Sequence, residues 1–331
     1  MEFFDALIRS DLSVEAVCDR VAEYLDRPVG CVDRRGNRVS STGRTINTKR
    51  VAHRDLVSGE TVWIGGTGSD TDFLLEQFAV VAKVAMARKS RRPLQSASVR
   101  VVIGSSSEGE RRTALRSLNI RSRLQLLALA GPEDGRAQIV DEVRERVGSA
   151  VFTADVGRTT AMLVGTSTPL ERLWIPAQNH LGASTIMSAL EGPEAWHQAW
   201  AALRFSQPSP RAGRDHSVEE SVQLNYSVMA PFAPLADVWS GERTAGLPDV
   251  RALDILIIHE GPEMLRTLDL VAATDSYREA ARQLHTHHST VAAKVARAER
   301  ALGFSFNKNY GRPRLMVGLM MRRLRDTSDL M

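Results

Sequence analysis

The side chains best equipped for chemistry gather between positions 276 and 297. His285, His287 and His288 lead into Ser289 and Thr290, and Lys294 and Arg297 follow. Imidazole and hydroxyl groups can hydrogen-bond the edges of bases, while the two cations suit bases or phosphate oxygens. Thr290, Lys294 and Arg297 stand at i, i+4 and i+7, so at about 100° per residue they share one face of a helix. Ser276 precedes Glu279 by three residues, the spacing of a capping box: the hydroxyl takes the third amide and the carboxylate returns to the cap. The candidate DNA-contacting set is therefore Ser276, His287, His288, Ser289, Thr290, Lys294 and Arg297. The three histidines also invite a zinc reading. No cysteine or carboxylate partner lies close by in the sequence, and a metal site is not expected.

Other chemical motifs are poorer. The turn from Gly65 to Asp70 is glycine-rich but has no Lys-Ser/Thr pair and no dinucleotide fingerprint, so a tight hairpin is expected rather than a phosphate cradle. Cys18 and Cys31 form neither a disulfide framework nor a metal cage and read as buried thiols of a reducing cytosol. The sequence shows no catalytic residue and calls for no cofactor.

The elements that must hold the 276–297 set can be traced by period. Pro262 and Glu263 open a helix with Met264, Leu265, Leu268, Val271 and Ala272 on one stripe. A short helix, 277–284, carries the paired small residues Ala280 and Ala281, which let another helix cross closely. A third helix, 287–302, buries Val291, Val295, Ala298 and Leu302 and ends at Gly303. Its Thr290–Lys294–Arg297 face lies about 90° from that stripe. A closing helix, 312–325, places Leu315, Met316, Leu319, Met320 and Leu324 on one side. Arg312, Arg314, Arg322, Arg323 and Arg325 cover the rest, available for backbone contacts or for solvation.

Upstream, residues 1–88 read as helix, sheet, helix. Val14, Val17, Val21, Tyr24 and Leu25 stripe the first helix, short strands flank a Gly36-Asn37 turn, and residues 61–64 suggest another strand. The last helix has Phe73, Gln77, Val80, Val81 and Val84 near one face. Residues 89–93 read as a linker. Between 98 and 206 the expected strands are 99–103, 124–130, 150–153 and 160–165. Helices are expected at 137–147 and 193–205, and a hairpin at Val156-Gly157-Arg158; the order suggests a split β-α-β, ferredoxin-like sheet. Residues 217–260 read as a partly helical connector. The expected class is α+β and multidomain: a small α/β module at 1–88, a ferredoxin-like module at 98–210, a connector at 211–260 and an all-α unit at 261–331.

Composition fits this plan. The 331 residues are 43% hydrophobic and 25% charged, ordinary for a globular chain that can bury two or three cores. No apolar run reaches the roughly 20 residues of a membrane span, and the start lacks a signal peptide's pattern, so a cytoplasmic location is expected. Net charge is only +4, but residues 263–331 hold twelve Lys/Arg against seven Asp/Glu, so the positive excess sits in the last fifth of the chain. A localised basic unit on a near-neutral body suits attraction to phosphate backbones.

The run from Leu284 to Gly303, LHTHHSTVAAKVARAERALG, resembles the C-terminal helix-turn-helix of the PucR/CdaR family of bacterial regulators. So does Gly311 to Leu324, GRPRLMVGLMMRRL. His287, Thr290 and Lys294 fall where that family has its histidine, threonine and basic residue. The resemblance implies that these carry the DNA-facing surface. Residues 277–304 are also similar to the LysR-type helix-turn-helix, which normally stands at the N-terminus, so the placement favours PucR/CdaR. Upstream, Trp196 to Phe205 resembles the A-x-x-A-L-R-F helix of the family's middle domain, a degenerate GGDEF-like module, and the family often carries a GAF-like segment before it. A working cyclase hairpin needs several acids; Ala154 to Thr159 has only Asp155, which cannot organise two Mg²⁺ ions.

These features imply a sequence-specific regulator of transcription that binds double-stranded DNA, as a homodimer reading two half-sites. An unknown small-molecule effector is a possible further partner; a membrane is not. Two alternatives belong to other classes: a protein-interaction or dimerisation module without direct sequence-specific DNA binding, and an enzyme acting through the cyclase-like domain.

Overall fold

The computed structural model describes the chain apart from residues 1, 10–11, 33–37, 41–50, 57–58, 67, 149, 217–219, 240, 275 and 331. It has α+β architecture, divided into two compact units, Met1–Leu94 and Gln95–Met331. No helix among the described residues is long and apolar enough to cross a membrane.

In the first unit α1 (Glu2–Arg9) and α2 (Val14–Leu25) precede β1 (Val29–Val32), β2 (Arg38–Ser40), β3 (Val51–Asp55) and β4 (Thr61–Gly65). The strands form an antiparallel sheet in the order β2-β1-β4-β3. Alternation along β1 and β4 turns Val29, Cys31, Val62 and Ile64 to one side, against Val14, Val17, Cys18 and Val21 of α2. Both cysteines are thus buried thiols that form no disulfide. The expected Gly36-Asn37 turn lies outside the described residues, although β1 and β2 pair on either side of it. In the glycine-rich turn the Gly68 amide is taken by Thr71 Oγ1 at 2.8 Å; Thr67 lies outside the described residues.

Helix α3 (Thr71–Ile103) corrects two expectations. It runs through Pro93, where a linker was expected, and it includes Val99–Ile103, expected as a strand. Val99, Val102 and Ile103 are buried at i, i+3 and i+4, a helical spacing that a short apolar run conceals. The buried face of its first half is Leu75, Phe78, Ala79, Val81, Ala82 and Ala85, so Val81 of the expected stripe is buried. Phe73 and Val80 of the expected stripe are exposed, because the packed face is centred on Leu75 and Phe78 instead.

The second unit continues with α4 (Glu108–Ser117), β5 (Arg123–Ala130), α5 (Glu133–Val147), β6 (Val151–Val156), β7 (Thr159–Val164), β8 (His180–Ala183), β9 (Met187–Ser188), α6 (Gly192–Phe205) and β10 (Gln223–Asn225). The sheet order is β10-β8-β5-β7-β6, with β9 beside β5. The β5-α5-β6 crossover leaves one position, which β7 fills through the two-residue Gly157-Arg158 hairpin. Strand β5 is buried on both faces, hence its nearly unbroken apolar sequence. Leu124, Leu126, Ala128 and Ala130 meet the end of α3, α4 and α6, while Leu127 and Leu129 meet α5. Gln125, fully buried in the same strand, is paired at both ends: its amide donates to Ser184 O and its carbonyl accepts from Leu170 N, each at 2.9 Å. Gly182 of β8 lets α6 lie against the sheet; a Cβ there would come within 2.1 Å of Leu203 N.

The remaining helices are α7 (Tyr226–Met229), α8 (Ala233–Val238), α9 (Gly241–Ala245), α10 (Pro248–Glu260), α11 (Pro262–Ala273), α12 (Tyr277–Gln283), α13 (His288–Leu302) and α14 (Gly311–Asp326). Leu253 and Leu256 of α10 share a core with Leu268 and Val271 of α11, Val291 and Val295 of α13, and Leu315 and Leu319 of α14. So α10, expected within a connector, is part of the helical bundle. On its outer side α6 packs Ala201, Ala202 and Phe205 against Ala233 and Ala236 of α8 and Met321 and Leu324 of α14. The stretches expected as 98–210, 211–260 and 261–331 therefore share one compact unit.

Candidate nucleic-acid interface

Three helices, α11, α12 and α13, build the candidate surface. Ser276 caps α12, its hydroxyl accepting from the Glu279 amide at 3.2 Å. The return half of the expected box is not formed. Glu279 faces forward instead, accepting from Arg282 Nε at 3.0 Å and Gln283 at 3.1 Å, and its carboxyl is held down at a pKa of about 2, first by the Arg282 hydrogen bonds.

The turn is set by backbone chemistry. The Thr286 amide donates to Ala281 O at 3.0 Å and the His285 amide to Arg282 O at 3.2 Å, which is a Schellman closure of α12. His285 occupies the left-handed position of that motif, at φ 50°, where glycine is usual. Ala280 and Ala281 are buried under the crossing with α13, as their size predicts. His287 then caps α13 in place of the commoner serine or aspartate. Its Nδ1 accepts from the Ser289 amide at 3.3 Å and lies 2.7 Å from Ser289 Oγ, and its ring centroid is 4.2 Å from that of His288.

The rest of α13 follows its period. Val291, Val295, Ala298 and Leu302 form the buried stripe that the spacing predicts. His287, His288, Ser289 and Thr290 are all exposed at the front of the helix. Lys294 and Arg297 sit on a shoulder instead. Lys294 Nζ donates to Thr267 Oγ1 of α11 at 3.1 Å, and Arg297 Nε pairs with Glu260 at the end of α10 at 2.9 Å. Arg297 nonetheless keeps 39% of its side-chain surface. The expected edge is thus open at Thr290 and engaged within the bundle at its other two members.

The face most open to solvent is opposite the buried stripe: Ser289, Ala292, Ala293, Ala296 and Arg300. Sequence reasoning passed over it because three alanines carry no chemistry of their own. A search 180° from the apolar stripe, rather than 90°, would have found it. Its small side chains allow the helix axis to come close to a partner surface.

The five arginines of α14 are committed within the unit. Arg312 donates to Thr274 O at 2.6 Å, and Arg314 makes a two-pronged pair with Asp249 at 2.7 and 2.8 Å. Arg322 and Arg325 converge on Asp254, and Arg323 pairs with the buried Asp269 at 2.7 Å. The carboxylates come from α10 and α11, so these cations fasten helices together.

Three crossed helices with one polar, solvent-open helix front, carried on an α+β body, define a helix-turn-helix protein. Residues 264–321 match the family model described as the PucR C-terminal helix-turn-helix domain, and the chain carries that domain. The matched domain is that of a transcription regulator. Among solved structures, the chain is similar to the regulator of polyketide synthase expression from Bifidobacterium adolescentis. The identity is 16% and the TM-score 0.30, covering 70% of this chain and 93% of that one. No curated protein matches.

Proposed function

We propose that this chain is a sequence-specific, DNA-binding regulator that acts as a homodimer in the cytoplasm, each copy presenting α13 to one half-site. The observation that carries the reading is the open front of α13 within the matched domain. His288, Ser289 and Thr290 offer donors and acceptors to base edges, and the alanine face beside them permits entry into a major groove. His287 sets the start of the helix, and Ser276, exposed at the start of α12, lies where a phosphate contact would add register. Arg300 supplies a cation on the open face; Lys294 and Arg297 join by exchanging Thr267 and Glu260 for DNA. The strand order β8-β5-β7-β6 supports a ferredoxin-like, degenerate GGDEF-like middle domain. The antiparallel sheet between α2 and α3 supports a GAF-like sensor or dimerisation module at the start, open to a small-molecule effector.

The test is a titration of the full chain on genomic fragments at several salt concentrations. Affinity should differ between sequences, fall linearly with log salt, and map to an inverted repeat. Equal affinity for every sequence, or no dependence on salt, overturns the reading.

A further inference from the structure

Away from the helix-turn-helix, the second unit has a cleft of about 400 Å³ between α4, the turn that follows it and the short segment after β9. That volume is within the usual range for small-molecule sites, roughly 300–1,000 Å³. Its walls are basic. The i, i+4 spacing of Arg112 and Arg116 puts both on one face of α4, and Arg121 enters from the turn. Asn119, Ser122 and Ser188 add polar groups to the lining, while Leu115, Ile120 and Ala189 beneath are buried and apolar.

The frame is fixed by the backbone. Asn119 adopts φ 54° and closes α4, with its amide on Arg116 O and the Ile120 amide on Leu115 O. The Ala189 amide donates to Ser122 O at 2.9 Å, tying the two rims together. Nearby carboxylates are occupied: Glu110 accepts from Ser107 at the start of α4, and Glu191 from the Ser188 amide at 3.1 Å. Glu108 pairs with Arg112, whereas Arg116 and Arg121 have no ion-pair partner among the described residues. Two uncompensated guanidiniums over an apolar floor are complementary to a molecule with the converse polarity.

We propose that this cleft binds a small organic anion, a carboxylate or phosphate carrying an apolar group. Arg116 and Arg121 hold the charge while Leu115, Ile120 and Ala189 cover the apolar part. A concave site with such a floor suits a small molecule better than a duplex backbone, which calls for cations along an open surface.

The probes are phenyl phosphate and benzoate, titrated calorimetrically into the full chain, with inorganic phosphate and benzyl alcohol as controls that each lack one half of the chemistry. At least one aryl anion should bind saturably, and both controls should be about tenfold weaker or worse. Arg116→Ala and Arg121→Ala should each raise its Kd about tenfold, as loss of a charged hydrogen bond does, with an unchanged urea midpoint because both side chains are exposed. Arg116→Lys should retain part of the affinity. Absence of saturable binding by either aryl anion, or equal binding by the alanine variants, overturns the proposal. So does loss of duplex affinity in those variants with no aryl-anion binding, which would make the cleft a nucleic-acid contact. Failure of the genomic titration would leave this proposal standing, since the site involves no residue of α11 to α13.

Discussion

Helix α14 and the front of α13 belong to one bundle and are both rich in polar groups, yet they face opposite ways. Along α14 each arginine finds an acceptor within the unit, chiefly Asp249, Asp254 and Asp269. Burial alone would raise the Asp254 carboxyl, but hydrogen bonds from Arg325 and Arg322 hold it below its ordinary value. At the front of α13 no carboxylate among the described residues pairs with His288, Ser289 or Thr290, and all three are exposed. The contrast teaches that a count of cations locates a basic region but not an interface. What neighbouring elements offer decides whether a charge is a fastener or a contact.

The strongest way to break this comparison is to remove a fastener. Arg323 and Asp269 keep only 13% and 7% of their side-chain surface, so Arg323→Ala leaves a buried carboxylate without its cation, held by the Gln207 amide alone among the described residues. Urea unfolding should show a loss of about 3–5 kcal/mol. An Arg300→Ala change on the open face should stay within about 0.5 kcal/mol of wild type. Similar losses for the two would erase the distinction.

Acid extends the test to another inward-facing group. His180 is buried, 2.7 Å from Ser206 Oγ, and burial lowers its pKa to about 4. Unfolded, it takes its proton near pH 6.5; folded, only near 4, so between those values the unfolded chain binds more protons. Stability should therefore fall by about 3 kcal/mol as pH drops from 7 to 4, with the contribution from this group levelling off below that. Unfolding at a series of pH values, compared with His180→Gln, isolates the contribution; an unchanged slope in the variant would refute it.

For DNA the order of importance should reverse. His288→Ala and Thr290→Ala should each weaken discrimination between a site and its mutated version by about 1–3 kcal/mol. Arg300→Ala should weaken all sequences alike and reduce the salt slope by about 1. Competition titrations distinguish these outcomes, and an Arg314→Ala effect larger than either would place the contact on α14.

A small effect of opposite sign is expected at the turn. His285→Gly relieves a left-handed conformation that costs a non-glycine residue about 1–2 kcal/mol, partly offset by the extra freedom of the unfolded chain. A net gain of about 0.5–1 kcal/mol should appear as a higher urea midpoint.

Much of this arrangement was legible in the sequence because it is local. The stripes of α11 and α13, the Ala280–Ala281 pair, the Gly157-Arg158 hairpin and the body of β5 are written in spacings of a few residues. What escaped reading depends on distant partners. Arg314 and Asp249 are 65 positions apart and Arg325 and Asp254 are 71 apart, so nothing near either arginine announces its pairing. The buried face of α3 was misread because the expected stripe was anchored on Phe73 and Val80, whereas the packed face runs through Leu75 and Phe78. Lys294 and Arg297 were placed on the correct helix, but their partners Thr267 and Glu260 become visible only once α10 and α11 are set beside it.

Helix α14 lends Leu315 and Leu319 to the bundle and Met321 and Leu324 to the cluster around α6. The support of α13 is thus completed by a segment that follows it in the chain. On the proposed reading, a product ending ahead of Gly311 should fail to bind DNA even though it contains all of α13.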